Sequence, residues 1–364
     1  MNEHDLDTPS VVIDSEIVRM NLMRTQLMAD KAGVSLRPHI KTHKSVYWAK
    51  QQLAMGAVGI TVAKLEEAEV MAQHGIENIF IAYPLIGPIK AQRLQVLLQS
   101  KPAYFRFTVD SEAALDTLNT VAKHVNRQLD FVIEIDSGMH RCGLASPEAV
   151  VRLARYSSKY PLLNLVGIMT HAGHAHNTTD SNVIRSISER ETALMVEIAQ
   201  ALSVSDFAVS VISGGSTITS KDAISVAGLT EIRPGTYIFN DLRTEELHRC
   251  TQREIAATVV ATVVSRPSAD RLVLDAGSKT LTPTYNEQYG YGLVRHHPDI
   301  KIVFLSEEHG VCTVSPNNTL KGGDRVEILP IHICVIMNMT RSTFLRTGDE
   351  ITDEISVEAH LASR

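Results

Sequence analysis

From Ser10 to about Phe239, short β-branched runs alternate with longer segments of helical period, the pattern of repeated βα units around a parallel sheet. The runs predict strands at Val11–Ile13, Val34–Leu36, Gly59–Val62, Ile79–Ala82, Phe105–Val109, Phe131–Ile135, Val166–Met169 and Ala208–Ile212. Between them, helices are predicted at Ser15–Lys31, Ser45–Ala54, Leu65–Gln73, Pro88–Leu98, Ser111–Lys123, Pro147–Ser157 and Asn182–Ala201, several opening on Ser or Pro in capping positions. Such a strand set suits an α/β fold of the closed (β/α)8 TIM type. The competing open, doubly wound sheet usually carries G-x-G-x-x-G after its first strand, and Val11-Val12-Ile13-Asp14-Ser15-Glu16 has no glycine.

Near Arg253 the texture changes. Residues 255–336 read as short strands, Ala256–Val264, Arg271–Leu274, Ile302–Leu305, Val311–Val314 and Val326–Leu329, separated by Gly, Pro, Asn and Asp turns with no long helix. A smaller all-β domain is therefore expected after the barrel. The predicted boundaries give 10–245 to the barrel, and 1–9 with 250–364 to the β domain.

A chain of 364 residues, 44% hydrophobic and 21% charged, accommodates both domains. Its formal net charge of -6 and pI near 6.2 argue against a nucleic-acid partner, which needs a basic face. No apolar run approaches the roughly 20 residues that span a bilayer, so no membrane partner is expected. The segment Met1-Asn2-Glu3-His4-Asp5-Leu6-Asp7 is acidic and lacks the regions of a signal peptide, which makes the cytoplasm the expected compartment. Cys142, Cys250, Cys312 and Cys334 are widely spaced without a C-x-x-C pair, suggesting neither a disulfide framework nor a four-cysteine zinc site.

In parallel α/β barrels the chemistry sits at the C-terminal strand ends. Lys41, in Arg37-Pro38-His39-Ile40-Lys41-Thr42-His43-Lys44, closes a short apolar run among cationic neighbours. Burial or neighbouring cations lower an ammonium pKa, so this amine can attack a carbonyl and form a Schiff base; a solvated basic turn is the plainer reading. Glu134–Arg141 follows the sixth strand, Thr170–His174 the seventh and Ser213-Gly214-Gly215-Ser216-Thr217 the eighth, so all would line one mouth. The last of these is a glycine-rich turn bearing hydroxyls, suited to holding a phosphate, and Gly235 can bring a second backbone segment to it. His171, His174 and His176 form H-x-x-H-x-H, readable as a metal cluster, although a single imidazole facing a cofactor ring suits His171 better. Arg141 has a plain reading as an ion-pair partner, and Cys142 as a small buried apolar residue.

These segments resemble the fold-type III pyridoxal-phosphate enzymes, whose members include alanine racemase, D-serine dehydratase and D-threonine aldolase. The likeness covers nearly the whole chain. It implies that Lys41 is the Schiff-base lysine, that Arg141 lies beside the cofactor's phenolic edge and that His171 packs on the pyridine face. It further implies a phosphate-binding turn at Ser213, Gly214, Gly215, Ser216 and Thr217, with Arg233 of Arg233-Pro234-Gly235-Thr236-Tyr237 facing the ring nitrogen and Gly235, Thr236 and Tyr237 beside the cofactor. Ser306-Glu307-Glu308-His309-Gly310 and Leu329-Pro330-Ile331-His332-Ile333-Cys334 look like the D-serine-dehydratase-like domain, in which a histidine and the residue two further on bind a divalent metal. Read as a strand, His332 and Cys334 share a face; imidazole plus thiolate favours zinc, with manganese or magnesium as alternatives.

Racemases use a second acid/base tyrosine in a Gly-Tyr-Ala-Asp-like segment, and none is found here; Tyr285, Tyr289 and Tyr291 stand in another context. The resemblance thus implies a lyase acting on a small β-hydroxy D-amino acid, by dehydration to a 2-oxo acid and ammonia or by retro-aldol cleavage to glycine and an aldehyde. The His-x-Cys pair leans to dehydration, since the aldolases tend to carry an aspartate as second ligand. Non-enzymatic pyridoxal-phosphate homeostasis proteins share the barrel and its lysine but lack the β domain. A head-to-tail homodimer is implied by the resemblance alone.

Overall fold

Eight short parallel strands close on themselves in one of the two units of the chain, which comprises Arg24–Lys41, Trp48–Gly235 and Ala362–Arg364. The computed structural model describes residues 5–364, so residues 1–4, with part of the acidic N-terminus and of the 1–9 segment, lie outside the described residues. Around the barrel the strand order is Ser35–Leu36, Glu231–Ile232, Val211–Gly214, Leu163–Thr170, Leu129–Ile135, Tyr104–Val109, Asn78–Pro84 and Ile60–Val62. A parallel bridge between His39 and Thr61 closes the ring, and the Thr61 amide donates to the Pro38 carbonyl at 2.7 Å. The open-sheet alternative is thereby excluded. Phe80, Val132 and Met169 pack together from three strands, the interior layering expected of a filled barrel. The intervening helices follow the apolar spacing closely, with Leu65–Gln73 and Pro147–Ser157 at their expected limits. Ser111 and Ser146 cap their helices by accepting from the amides of Ala114 and Ala149.

Two sequence expectations change. Val11–Ile13 is not a barrel strand: Ser10–Asp14 pairs antiparallel with Ala257–Ser268 and parallel with Ser342–Thr347 in the other unit. The barrel strand that the run seemed to supply is Glu231–Ile232, too short and too polar at its first position to stand out. The boundary at 10–245 moves accordingly, since the second unit gathers the chain up to Met23, Thr42–Tyr47 and Thr236–Leu361.

That second unit is built on a nine-stranded sheet. Because Ala257–Ser268 pairs with both Arg271–Leu274 and Arg325–Leu329, six of its strands curl into a closed, antiparallel ring, which leaves those strands no free edge. A short helix, Ile333–Met339, leaves this ring directly after strand Arg325–Leu329 and carries the residues discussed below. Among the described residues no helix is long and apolar enough to cross a membrane.

Candidate active site

Lys41 lies in a single helical turn, Ile40–Thr42, immediately beyond strand Ser35–Leu36. Its side chain is exposed rather than buried. The cations around it in sequence point elsewhere: Arg37 Nε donates to Glu231 Oε2 at 2.6 Å, and Lys44, at φ 52°, donates from Nζ to Asn338 Oδ1 at 2.7 Å. The segment is therefore no solvated basic turn, because Arg37, His43 and Lys44 are all buried.

Within the barrel unit the other expected groups form one electrostatic set. His171, at the end of strand Leu163–Thr170, is held well below the ordinary imidazole range by burial first and then by Lys41, Arg141 and Arg233. It is neutral at neutral pH. Arg233 donates to the Ser213 hydroxyl and to the Thr170 carbonyl, and its guanidinium lies 5.7 Å from the Phe80 ring centroid. Arg141 Nη2 sits 3.8 Å from Glu134 Oε1, on a loop shaped by Asp136 Oδ1, which accepts from the amides of Gly138 and His140. Burial raises the Glu134 carboxyl above its ordinary value despite the Arg141 charge.

The glycine-rich turn divides its work. The Ser213 hydroxyl is turned inward, donating to Glu231 Oε1 at 2.6 Å, so it belongs to the barrel interior rather than to a ligand's phosphate. The Gly215 amide donates to the buried Glu191 Oε1 at 3.2 Å. The Ser216 oxygen accepts from the amides of Ile218 and Thr219, and the Thr217 oxygen accepts from the Gly235 amide at 3.0 Å. The Ser216 hydroxyl also lies 3.2 Å from the Thr219 hydroxyl, whereas the Thr217 oxygen has an acceptor role filled and a hydrogen that can go to an external acceptor, the chemistry a phosphate needs. Gly215 sits at φ 69°, and a Cβ there would lie 3.0 Å from the Ile232 side chain and 3.1 Å from Ser220 Cα.

Beneath these groups lies a network that the sequence patterns did not reveal. Glu231 is enclosed by Arg37 Nε, by Arg106 Nη1 at 3.0 Å, and by Ser213, through which it connects to Arg233. Burial alone would raise its carboxyl, but Arg37 and Arg106 outweigh this and hold it below its ordinary value. Glu231→Gln is expected to cost the barrel about 3 kcal/mol or more, because two buried guanidinium groups lose their counter-charge. A group with a depressed folded-state pKa stabilises above its unfolded value, here 4.5, and that stabilisation is lost as pH falls through the folded value. The stability gap between wild type and variant should thus be constant at neutral pH and shrink in acid. Urea unfolding followed by Trp48, the chain's one tryptophan and buried in this unit, measures it; a gap unchanged into strong acid would contradict the assignment.

In the second unit, His332 and Cys334 come together, but not along a strand. His332, with extended backbone at φ -144° and ψ 107°, is the N-cap of helix Ile333–Met339, and Cys334 lies in its first turn. Cys334 Sγ is 3.4 Å from Thr42 Oγ1 and 3.7 Å from Thr236 Oγ1. Thr236, expected beside the cofactor, has its hydroxyl 3.7 Å from the sulfur; Tyr237 follows it, buried. Burial alone would raise the Cys334 thiol, but the His332 charge first, and then hydrogen bonding with His332 and Thr42, bring it below its ordinary value. The Cys334 charge in turn lifts His332 well above the imidazole range, with Asp241 adding to it. His332 Nδ1 lies 3.0 Å from Oδ2 of Asp241, a residue for which the only sequence signal was a capping position before Leu242.

A thiol whose sulfur is favoured as thiolate, beside an imidazole that can ligate once its second proton is displaced, is a donor set suited to a divalent metal of zinc type. Among the described residues no three His, Cys, Asp or Glu side chains gather as metal ligands, so the pair would leave coordination positions for water or substrate, and the His171, His174, His176 cluster is not assembled.

A family model described as the N-terminal domain of alanine racemase matches residues 13–242, and a serine dehydratase domain model matches residues 256–345. D-threo-3-hydroxyaspartate dehydratase from Delftia sp. (strain HT23) is 33% identical over 349 residues, covering 90% of this chain and 91% of the relative. D-threonine aldolase from Arthrobacter sp is 30% identical over 337 residues, covering 92% and 87%. The solved structure of the Delftia dehydratase superposes with a TM-score of 0.90 at 28% identity over 98% of each chain. Variants of D-threo-3-hydroxyaspartate dehydratase also match, one with a histidine and one with the cysteine two positions later replaced by alanine, the cysteine variant in a metal-free form. The chain belongs to this family of pyridoxal-phosphate- and metal-dependent lyases, in which an alanine racemase-type N-terminal domain is joined to a serine dehydratase domain.

Proposed function

We propose that this lyase dehydrates a small β-hydroxy D-amino acid, in the manner of a D-serine ammonia-lyase, giving a 2-oxo acid and ammonia. The observation that carries the reading is the pairing of His332 and Cys334 at the start of one helix, a sulfur standing where the aldolases tend to carry a carboxylate.

Pyridoxal phosphate, when bound, supplies the electron sink for a carbanion at Cα, and a divalent metal, zinc first, supplies a Lewis acid for the β-hydroxyl. Lys41 would hold the cofactor through Nζ, and the same amine, when free, would take the α-proton. Ser216 and Thr217 donate their hydroxyl hydrogens to the phosphate. Neutral His171 would pack on the ring, Arg141 would lie at its phenolic edge and Arg233 would face its nitrogen, where a cation would disfavour protonation and leave more of the work to the metal. His332 Nε2 and Cys334 Sγ hold that metal. Loss of the α-proton and of the β-hydroxyl as hydroxide leaves an enamine, whose hydrolysis yields the products.

Retro-aldol cleavage is the second reading, favoured by the 30% identity to a D-threonine aldolase. Incubation with D-serine, D-threonine and D-threo-3-hydroxyaspartate, assaying 2-oxo acids and ammonia against glycine and aldehydes, separates the two. Glycine and aldehyde as the main products would replace dehydration by cleavage. The proposal includes a cytoplasmic, head-to-tail homodimer; sedimentation of the purified chain as a monomer would remove the dimer.

A further inference from the structure

We propose that Asp241 is the positioning residue of the metal pair: its carboxylate holds His332 as the Nδ1–H tautomer, so that Nε2 presents its lone pair to a divalent cation. The inference rests on reading His332 and Cys334 as metal ligands. Asp241 is wholly buried and spends its two oxygens on two different segments. Oδ1 accepts from the Thr244 amide at 2.8 Å and from the Thr244 hydroxyl at 2.6 Å, capping helix Leu242–Glu246. Oδ2 accepts from the Ile333 amide at 3.2 Å and lies 3.0 Å from His332 Nδ1.

A helix cap requires only one of these oxygens. The second grips the backbone amide of the residue that separates the two ligands, together with the ring nitrogen that does not ligate. A carboxylate oxygen facing a ring nitrogen can only accept, so the proton on Nδ1 is the one retained, and the proton a cation displaces from the charged ring is that on Nε2. The Ile333 bond fixes the peptide between the ligands, which sets the spacing of imidazole and sulfur at the helix start. Asp241 therefore orients the ring, selects its tautomer and fixes the turn that carries Cys334, the outer partner that metal-bound histidines require.

Asparagine is the informative replacement because it is isosteric. Keeping its carbonyl on Thr244 points its amide hydrogens at the Ile333 amide and drives His332 to accept on Nδ1, which places hydrogen on Nε2. Turning the amide over abandons the cap instead. The full-length chain, stripped of metal and titrated with Zn2+ against a chromogenic chelator, should show Asp241→Asn raising the dissociation constant about 10- to 100-fold. Thr244→Val keeps the amide bond to Asp241 and removes only the hydroxyl; it should leave zinc affinity at the wild-type level even where it lowers the melting midpoint. Imidazole 15N spectra of the zinc-loaded protein should show the proton of His332 on Nδ1.

Zinc affinity of Asp241→Asn equal to wild type, or weakened equally by Thr244→Val, would overturn the inference and leave Asp241 a cap. The His332→Ala variant distinguishes the levels. If it binds zinc as tightly as wild type, the metal reading itself fails and takes the role of Asp241 with it; if it binds weakly while Asp241→Asn does not, only the role of Asp241 fails.

Discussion

Replacing Lys41 with alanine should give a folded protein that shows no visible Schiff-base absorbance with pyridoxal phosphate and forms product at least about 10^3-fold more slowly. The loss is large because, in the proposed function, one amine both anchors the cofactor and takes the α-proton. Lys41 is suited to this by exposure at a barrel strand end, where its position within the Ile40–Thr42 turn is fixed by the backbone. Lys44 is the natural control. It is buried and hydrogen-bonded to Asn338, so Lys44→Ala should weaken folding while preserving the absorbance. A borohydride-reducible adduct persisting in Lys41→Ala would transfer the anchoring role to another lysine.

Removing the metal, or replacing His332 or Cys334 with alanine, should leave the visible absorbance intact and slow dehydration by about 10^3-fold, the several kcal/mol that a Lewis acid contributes to a departing oxygen. The two readouts separate because the proposed cofactor groups, Lys41, His171, Arg233 and the 214–217 turn, include neither proposed metal ligand. Double replacement of His332 and Cys334 should cost little more than either alone, since both act through the same ion. Undiminished turnover after metal analysis has verified its removal would eliminate the metal from the reaction.

The barrel was legible because its strands are buried on both faces and separated by amphipathic helices, so apolar runs and helical spacing alternate without ambiguity. Val11-Val12-Ile13 misled for the same reason. A short apolar run carries no period, and it reads identically in a parallel barrel and in the middle of a mixed sheet. The expected strand geometry of His332 and Cys334 failed because the helix start depends on Asp241, 91 residues away in sequence, which no local pattern reports. Glu231 escaped notice as well. A carboxylate in a two-residue strand looks like a loop until Arg37 and Arg106, contributed by two other parts of the barrel, are seen to enclose it.

The path of the chain between its two units has an evolutionary consequence. It passes from one to the other five times, after residues 23, 41, 47, 235 and 361. Recombination at any single point between residues 24 and 235 would separate strand Ser10–Asp14 from the Thr236–Leu361 part of the unit to which it belongs. The two units are therefore not exchangeable cassettes, and new substrate preferences in this lineage are expected to arise by point substitution within the shared framework rather than by domain shuffling.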